Sequence, residues 1–317
     1  MPSAPESVAP IARLDGAQAT LTIDLAALAD NWRLMAARAA PAACGAAVKA
    51  DAYGIGVEAA VPALAAAGCG VFFVAHLSEA LRARRAAPDA EIYLLHGPPE
   101  SGLDALRAAR VKPVIGSAAQ FSAWRALGGG PSALQIDTGM NRLGLAPGEA
   151  AQLAADDLAG LGVDLALSHF VASEERDNPL NDRQIADFMA LRARFPGLRA
   201  SLANSSGLFL PRLPALDLAR PGYALYGGNP TPGDANPMRA VVTLEAPILQ
   251  LRWIAASESV GYNAQWTAKR RSRIATIGVG YADGFPRSAS ARDARPGAEA
   301  IVAGRRLPLA GRVSMDL

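Results

Sequence analysis

Short apolar stretches alternate with alanine-rich amphipathic segments from about residue 45 to residue 226, and this alternation constrains the fold more than any other feature. Strand patterns fall near 45–50, 71–75, 91–95, 112–115, 133–137, 163–169, 200–204 and 223–226. Helical periodicity fills most of the intervals, near 57–68, 78–86, 102–109, 117–127, 147–157 and 181–194. About eight β/α units in this length suit an α/β fold of the (β/α)8 TIM-type barrel kind, which takes roughly 250 residues. A doubly wound open sheet is the competing reading. No GxGxxG follows the first strand, which weakens the nucleotide-binding form of that alternative. After Pro230 the texture changes. The stretch Pro230-Thr231-Pro232-Gly233-Asp234-Ala235-Asn236-Pro237 is a turn-rich linker. Beyond it, Val241 to Ile254, Arg273 to Gly280, Ala300 to Ala303 and Leu307 to Val313 read as β runs. The expected division is a flexible tail over 1–18, a barrel over 19–238 and a mostly β C-terminal domain over 239–317.

Composition narrows the function classes. Of 317 residues, 51% are hydrophobic, enough to bury a large core without staples. The net charge is only +2 and the arginines are scattered, so nucleic acid is not an expected partner. Cys44 and Cys69 form neither a CxxC nor a ligand cluster, which fits a reducing compartment. With three histidines in the chain, no metal site is expected. Met1 to Gln18 lacks a basic n-region and an apolar core, so it is not a signal peptide. The most apolar stretch, Val57 to Ala75, is broken by Glu58, Pro62, Gly68 and Gly70 and does not read as a membrane span. A cytoplasmic protein is the expectation.

Lys49 is the first residue whose setting suggests chemistry. It follows the apolar run Gly45-Ala46-Ala47-Val48. A lysine at the C-terminal end of a barrel strand faces the region where such barrels place active sites. Desolvated there, it can lose its proton and form a Schiff base. Taken alone, a strand-end lysine is more often simply solvated. The neighbours change that. Val48-Lys49-Ala50-Asp51-Ala52-Tyr53-Gly54 resembles the pyridoxal-phosphate lysine motif of alanine racemases, with Ile55 where histidine is more usual. Further matches follow in order. They are Asp137 to Gly144 (DTGMNRLG), Ser168-His169-Phe170, Asn204-Ser205-Ser206-Gly207, and Arg220 to Gly227 (RPGYALYG). Gly261-Tyr262-Asn263, Gly280 to Gly284 (GYADG) and Gly311 to Asp316 (GRVSMD) complete the set. One such match is weak; seven in sequence, from about Ala19 to Leu317, are specific.

The resemblance implies a fold-type III alanine racemase that interconverts L- and D-alanine through pyridoxal 5'-phosphate. It implies Lys49 as the cofactor-bearing lysine and Lys49 and Tyr262 as the two bases, on the D and L sides of the substrate. Tyr262 would come from the partner subunit of a homodimer with composite sites. Tyr53, Ser205, Gly222 and Tyr223 would hold the phosphate, in the region after strands seven and eight where such barrels bind anions. Asn204, His169 and Arg220 complete the cofactor set, Arg220 facing the pyridine nitrogen. Arg142, Tyr281 and Met315 would neighbour the cofactor oxygen, the substrate-access path and the substrate carboxylate. A free tyrosine ionises near about pH 10, so nearby cations are needed for it to act as a base. D-alanine for peptidoglycan is the implied product.

Two features depart from the family pattern. Gln135 stands where many members have a lysine that can be carbamylated; its amide oxygen is expected to accept a hydrogen bond from Arg142. The resemblance also implies further β segments after Leu317, one carrying another tyrosine of the phosphate network, so the β domain is expected to be partial. Alternatives to an alanine racemase are a racemase of broader specificity, a related barrel decarboxylase, and a pyridoxal-phosphate binder without activity. Tyr262 argues against the last and Arg220 against the decarboxylase.

Overall fold

A computed structural model describes residues 19–317. The tail expected over 1–18 lies outside the described residues. Two compact units are resolved: Ile23–Val242, and Thr243–Leu317 together with residues up to Thr22.

In the first unit, Asp24 caps the helix Leu25–Ala39 by accepting the Ala27 N–H at 2.8 Å. Its buried stripe, Leu28, Trp32, Met35 and Ala39, repeats at i, i+4 and i+7. The parallel strands then run in sequence order: Ala46–Ala47, Val71–Val74, Glu91–Leu94, Val111–Ile115, Ser132–Gln135, Val163–Leu167 and Arg199–Ser201. The sheet closes through one more short strand, Leu218–Ala219. On one side Ala43, Gly45 and Ala47 donate to the carbonyls of Asp217, Ala219 and Pro221; on the other, Asp217 and Arg220 donate to Ala200 and Ala203. The barrel therefore has no free edge. The helices Val57–Ala66, Leu77–Ala86, Leu103–Ala108, Ala118–Ala126 and Pro179–Arg192 shield it, with two short ones after the fifth strand.

Strand alternation explains the two cores. Val71, Phe73, Tyr93, Val114, Ala133, Leu165 and Leu167 pack inside the barrel. Their neighbours Phe72, Val74, Ile92, Leu94, Ile115 and Leu134 pack outward against helices. The expected strand over 223–226 is corrected. Tyr223–Tyr226 is a 3-10 turn, ended by Gly227 at φ 95°, and Leu218–Ala219 takes the eighth position. Arg220 and Gly222 accordingly follow the eighth strand instead of opening it.

The second unit contains antiparallel pairs: Ile248–Ile254 with Ser272–Ile277, Ser259–Val260 with Trp266–Thr267, and Glu299–Val302 with Arg305–Pro308. Thr20–Ile23 pairs with Val242–Glu245. Among the described residues, no helix is long and apolar enough to cross a membrane.

A charged plug sits where the barrel strands begin. The buried Tyr93 hydroxyl lies 2.9 Å from Glu91 and 3.1 Å from Asp164, and accepts from Arg199 at 2.6 Å. Lys112 pairs with Glu91 at 3.0 Å and with Asp164. Burial alone would raise the Glu91 pKa, but hydrogen bonds from Arg199 and Lys112 hold it down at about 2. A depressed carboxylate stabilises the fold above its unfolded pKa, and that contribution is lost as pH falls from about 4.5 to about 2. Arg199→Met should lower unfolding stability by about 2 kcal/mol, less than for a fully buried pair because these carboxylates keep solvent contact. Thermal unfolding at pH 7 checks this, and an unchanged midpoint would refute the plug's role.

Candidate active site

Lys49 follows the first barrel strand and is half-buried. The Val48 N–H still bonds the Phe73 carbonyl at 2.8 Å, so the sheet ladder runs to the residue before Lys49. The chain then reverses hand. Ala50, Asp51, Ala52 and Tyr53 have φ between 53° and 56°. Left-handed helical geometry costs roughly 1–2 kcal/mol per non-glycine residue, so this turn stores roughly 4–8 kcal/mol. Its own hydrogen bonds offset part of that: Ala52 N–H to Val48, Gly54 N–H to Ala50 and Gly56 N–H to Asp51, each at 2.9 Å. The Asp51 carboxylate accepts the Val57 N–H at 3.0 Å and pairs with Arg82 at 2.7 Å. Tyr53 stacks on Tyr226 with centroids 4.4 Å apart, and the Tyr226 hydroxyl donates to the Ala47 carbonyl at 2.9 Å. Glu79, buried on the helix Leu77–Ala86, accepts the Asp51 N–H at 3.3 Å.

The turn opens onto a cavity of about 340 Å³ at the C-terminal ends of the strands. Lys49, Tyr53, Arg142, His169, Asn204, Ser205, Arg220, Gly222 and Tyr223 all line it. Its electrostatics are set by cations. Arg220 is 7% exposed, and burial lowers its pKa to about 10. Its guanidinium donates to Ser201 Oγ and to the Ser168 carbonyl and lies 3.5 Å from His169 Nδ1, all uncharged partners. A guanidinium can only donate, so that contact places the His169 proton on Nε2. Burial, then Arg220, Arg142 and Lys49, push His169 down to about 3 and keep it neutral. Burial lowers the Lys49 pKa, Arg142 and Arg220 lower it further, and Glu79 pulls the other way.

Beside these cations is a cradle for an anion. Ser205 Oγ accepts the N–H groups of Gly222 and Ala224, both at 3.1 Å, which leaves its own proton free to donate. A Cβ at Gly222 would stand 2.5 Å from the Tyr53 hydroxyl and 3.1 Å from Ala47 Cβ, so no larger residue lets the backbone approach there. Asn204 Oδ1 is already engaged by Ser173 Oγ at 2.9 Å and the Gly207 N–H at 2.8 Å, which fixes the turn carrying Ser205. Gln135 does not bond Arg142 as the sequence suggested. Its Nε2 donates to the Leu143 carbonyl at 2.8 Å, so it holds the backbone next to Arg142.

Several residues with a part in this geometry escaped sequence reasoning. Gln184 donates to the His169 carbonyl at 2.9 Å and to Thr138, which bonds Ser168, so a buried polar chain fixes the histidine's backbone. Tyr226 lies within a recognised motif, whereas His76-x-x-Glu79 lacks the Ser, Thr, Asp or Asn that marks a capping box, so the sequence did not flag Glu79.

Tyr262, Tyr281 and Met315 belong to the second unit. Tyr262 begins a 3-10 turn after Gly261 and is 69% exposed. Tyr281 N–H bonds Ser314 at 3.0 Å and Ala282 N–H bonds Met315 at 2.8 Å, so the GYADG turn lies directly against Ser314 and Met315. A Cβ at Gly280 would collide with the Met315–Asp316 peptide.

Both parts of the chain match known proteins. The family model described as alanine racemase, N-terminal domain, matches residues 23–230, and that of the alanine racemase C-terminal domain matches 241–317. An alanine racemase of Methylobacterium nodulans is 53% identical over 305 residues, covering 94% of this chain and 81% of the relative. One from Acidiphilium cryptum is 55% identical, covering 94% and 84%. Among solved structures, the Bartonella henselae alanine racemase with covalently bound pyridoxal phosphate has a TM-score of 0.85 at 38% identity, covering 95% of this chain and 84% of that one. The biosynthetic alanine racemase of Pseudomonas aeruginosa has a TM-score of 0.85 at 36% identity, covering 94% and 84%. With both parts of the chain matched by the family's models and two alanine racemases 53% and 55% identical to it, the chain belongs to the alanine racemase family.

Proposed function

We propose that this chain is a pyridoxal-phosphate-dependent alanine racemase interconverting L- and D-alanine, with its chemistry at the barrel cavity. The observation that carries the reading is Lys49: a half-buried amine shifted toward its neutral form, sharing one cavity with the Ser205–Gly222 cradle. The residues fit the cofactor. Lys49 offers an amine to its aldehyde; the Ser205 hydroxyl, the Tyr223 N–H and the Tyr53 hydroxyl suit its phosphate, with Gly222 leaving room for the approach while its own N–H is held by Ser205. Asn204 supports that cradle from beneath. When bound, the cofactor delocalises the charge left when the substrate α-proton departs.

The chain's own groups then divide the work. Arg220, lowered to about 10 yet still charged at neutral pH, would face the ring nitrogen of the bound cofactor as a donor that keeps its proton. That disfavours side reactions needing a protonated ring. His169, neutral, takes one of Arg220's contacts without adding charge. Arg142, which lines the cavity, would serve the cofactor oxygen and the substrate carboxylate; Met315 and Tyr281 keep the substrate-carboxylate and substrate-access roles that the family resemblance implies. Racemisation needs a base on each side of the α-carbon. Lys49 Nζ serves the D side. Tyr262 of the partner subunit serves the L side, which makes the working unit a homodimer. The 69% exposure of Tyr262, with Trp253 at 58% and Ile301 at 70% in the same unit, supports association with a second copy. The setting this reading implies is the cytoplasm, with D-alanine destined for peptidoglycan.

Lys49→Ala should abolish the absorbance of the covalently held cofactor; persistence of that band would sink the site assignment. Tyr262→Phe should slow isotope exchange at the α-carbon of L-alanine more than of D-alanine. Equal slowing from both sides would remove the two-base assignment. Steady-state ratios cannot serve, because the equilibrium constant of a racemisation is fixed at about one whatever the enzyme does to its barriers.

A further inference from the structure

Glu79 is a buried carboxylate that reaches two separate segments. One oxygen accepts the N–H groups of Ala75 at 2.8 Å and His76 at 3.2 Å, closing the start of the helix Leu77–Ala86. The other accepts the Asp51 N–H at 3.3 Å, inside the left-handed turn two residues past Lys49. Three residues further along the same helix, Arg82 pairs with the Asp51 side chain at 2.7 Å. The helix after the second strand thus holds both the backbone and the side chain of Asp51. Capping the helix accounts for the Ala75 and His76 bonds but requires no reach to Asp51.

We propose that Glu79 is a positioning residue for Lys49, its carboxylate tying the end of the second strand to the strained turn that presents the amine. The inference rests on Lys49 being the cofactor-bearing lysine. The turn has a reason to need such a tie: four consecutive non-glycine residues in the left-handed region tend to relax unless their surroundings hold them. The charge is suited as well, since Glu79 opposes the burial and the arginines that drive Lys49 toward its neutral form.

Two substitutions in the cofactor-loaded chain test the tie. Glu79→Gln keeps one acceptor oxygen, enough for the helix cap, and has no second oxygen for Asp51. Glu79→Ala removes both. Hydrogen exchange at the Asp51 amide should accelerate by about tenfold or more in Glu79→Ala, while the barrel strands keep their protection. The kcat should fall by about 10- to 100-fold with KM little changed, as expected when a reacting group is displaced by about 1 Å. In Glu79→Gln the single oxygen stays with the cap, so exchange at Asp51 should accelerate and kcat should fall as in Glu79→Ala; wild-type values of both would overturn the tie. Unchanged Asp51 exchange in Glu79→Ala overturns the inference. So does faster exchange with wild-type kcat, or loss of protection throughout the barrel, which would make Glu79 a residue of general stability. An inactive wild-type chain would instead fail the functional reading, and is distinguishable because Asp51 exchange does not depend on turnover.

Discussion

Closure of the barrel by Leu218–Ala219 is the constraint on which the site depends. That strand is two residues long, yet it pairs with Ala43–Cys44, just before the first strand, on one side and bonds the seventh strand on the other. Closure sets residues from opposite ends of the unit side by side. Gly222 meets the Tyr53 hydroxyl and Ala47, and Tyr226 reaches the Ala47 carbonyl. Without those contacts the anion cradle and the lysine would belong to unconnected segments. The interior packing of Phe73, Tyr93 and Leu167 fills the barrel, and the cavity at Lys49 lies at the strand ends.

On that frame the site gathers Lys49, Arg142 and Arg220 around one cavity, with Glu174 also in its lining. Arg220 is buried against hydroxyl, carbonyl and imidazole groups. Such a field favours a neutral lysine and a neutral histidine, and suits a phosphorylated, anionic ligand. The paired carboxylates Glu91 and Asp164 are collected in the plug where the strands begin, while Glu174 lines the cavity and Glu79 lies behind the turn. Stability chemistry and ligand chemistry thus sit at opposite ends of the same strands, the usual division of labour in this architecture.

The barrel was legible because buried parallel strands leave dense apolar runs between helical periods. The β runs after Pro237 were legible for a similar reason. What failed was short or strained. Leu218–Ala219 is too brief to show a period, and the neighbouring aromatic run Tyr223–Tyr226 carries β-like residues but is bent into a turn between two glycines. The first helix went unread although Asp24, Leu28, Trp32 and Met35 hold a capped helical pattern. The left-handed turn is invisible in Ala50-Asp51-Ala52-Tyr53, which contains no glycine; only Gly54 and Gly56 hint at it. The site residues were named through motif order, whereas their hydrogen bonds, such as Gln135 holding Leu143 in place of Arg142, required geometry.

The most direct test is to supply the 317-residue chain with pyridoxal phosphate and follow interconversion of L- and D-alanine across a range of protein concentrations. The account predicts racemisation from either enantiomer to an equal mixture, with specific activity rising as the chain associates. Cofactor held through Lys49 with no interconversion at any concentration would contradict it, because the cavity would then bind the cofactor without a second base to complete the reaction.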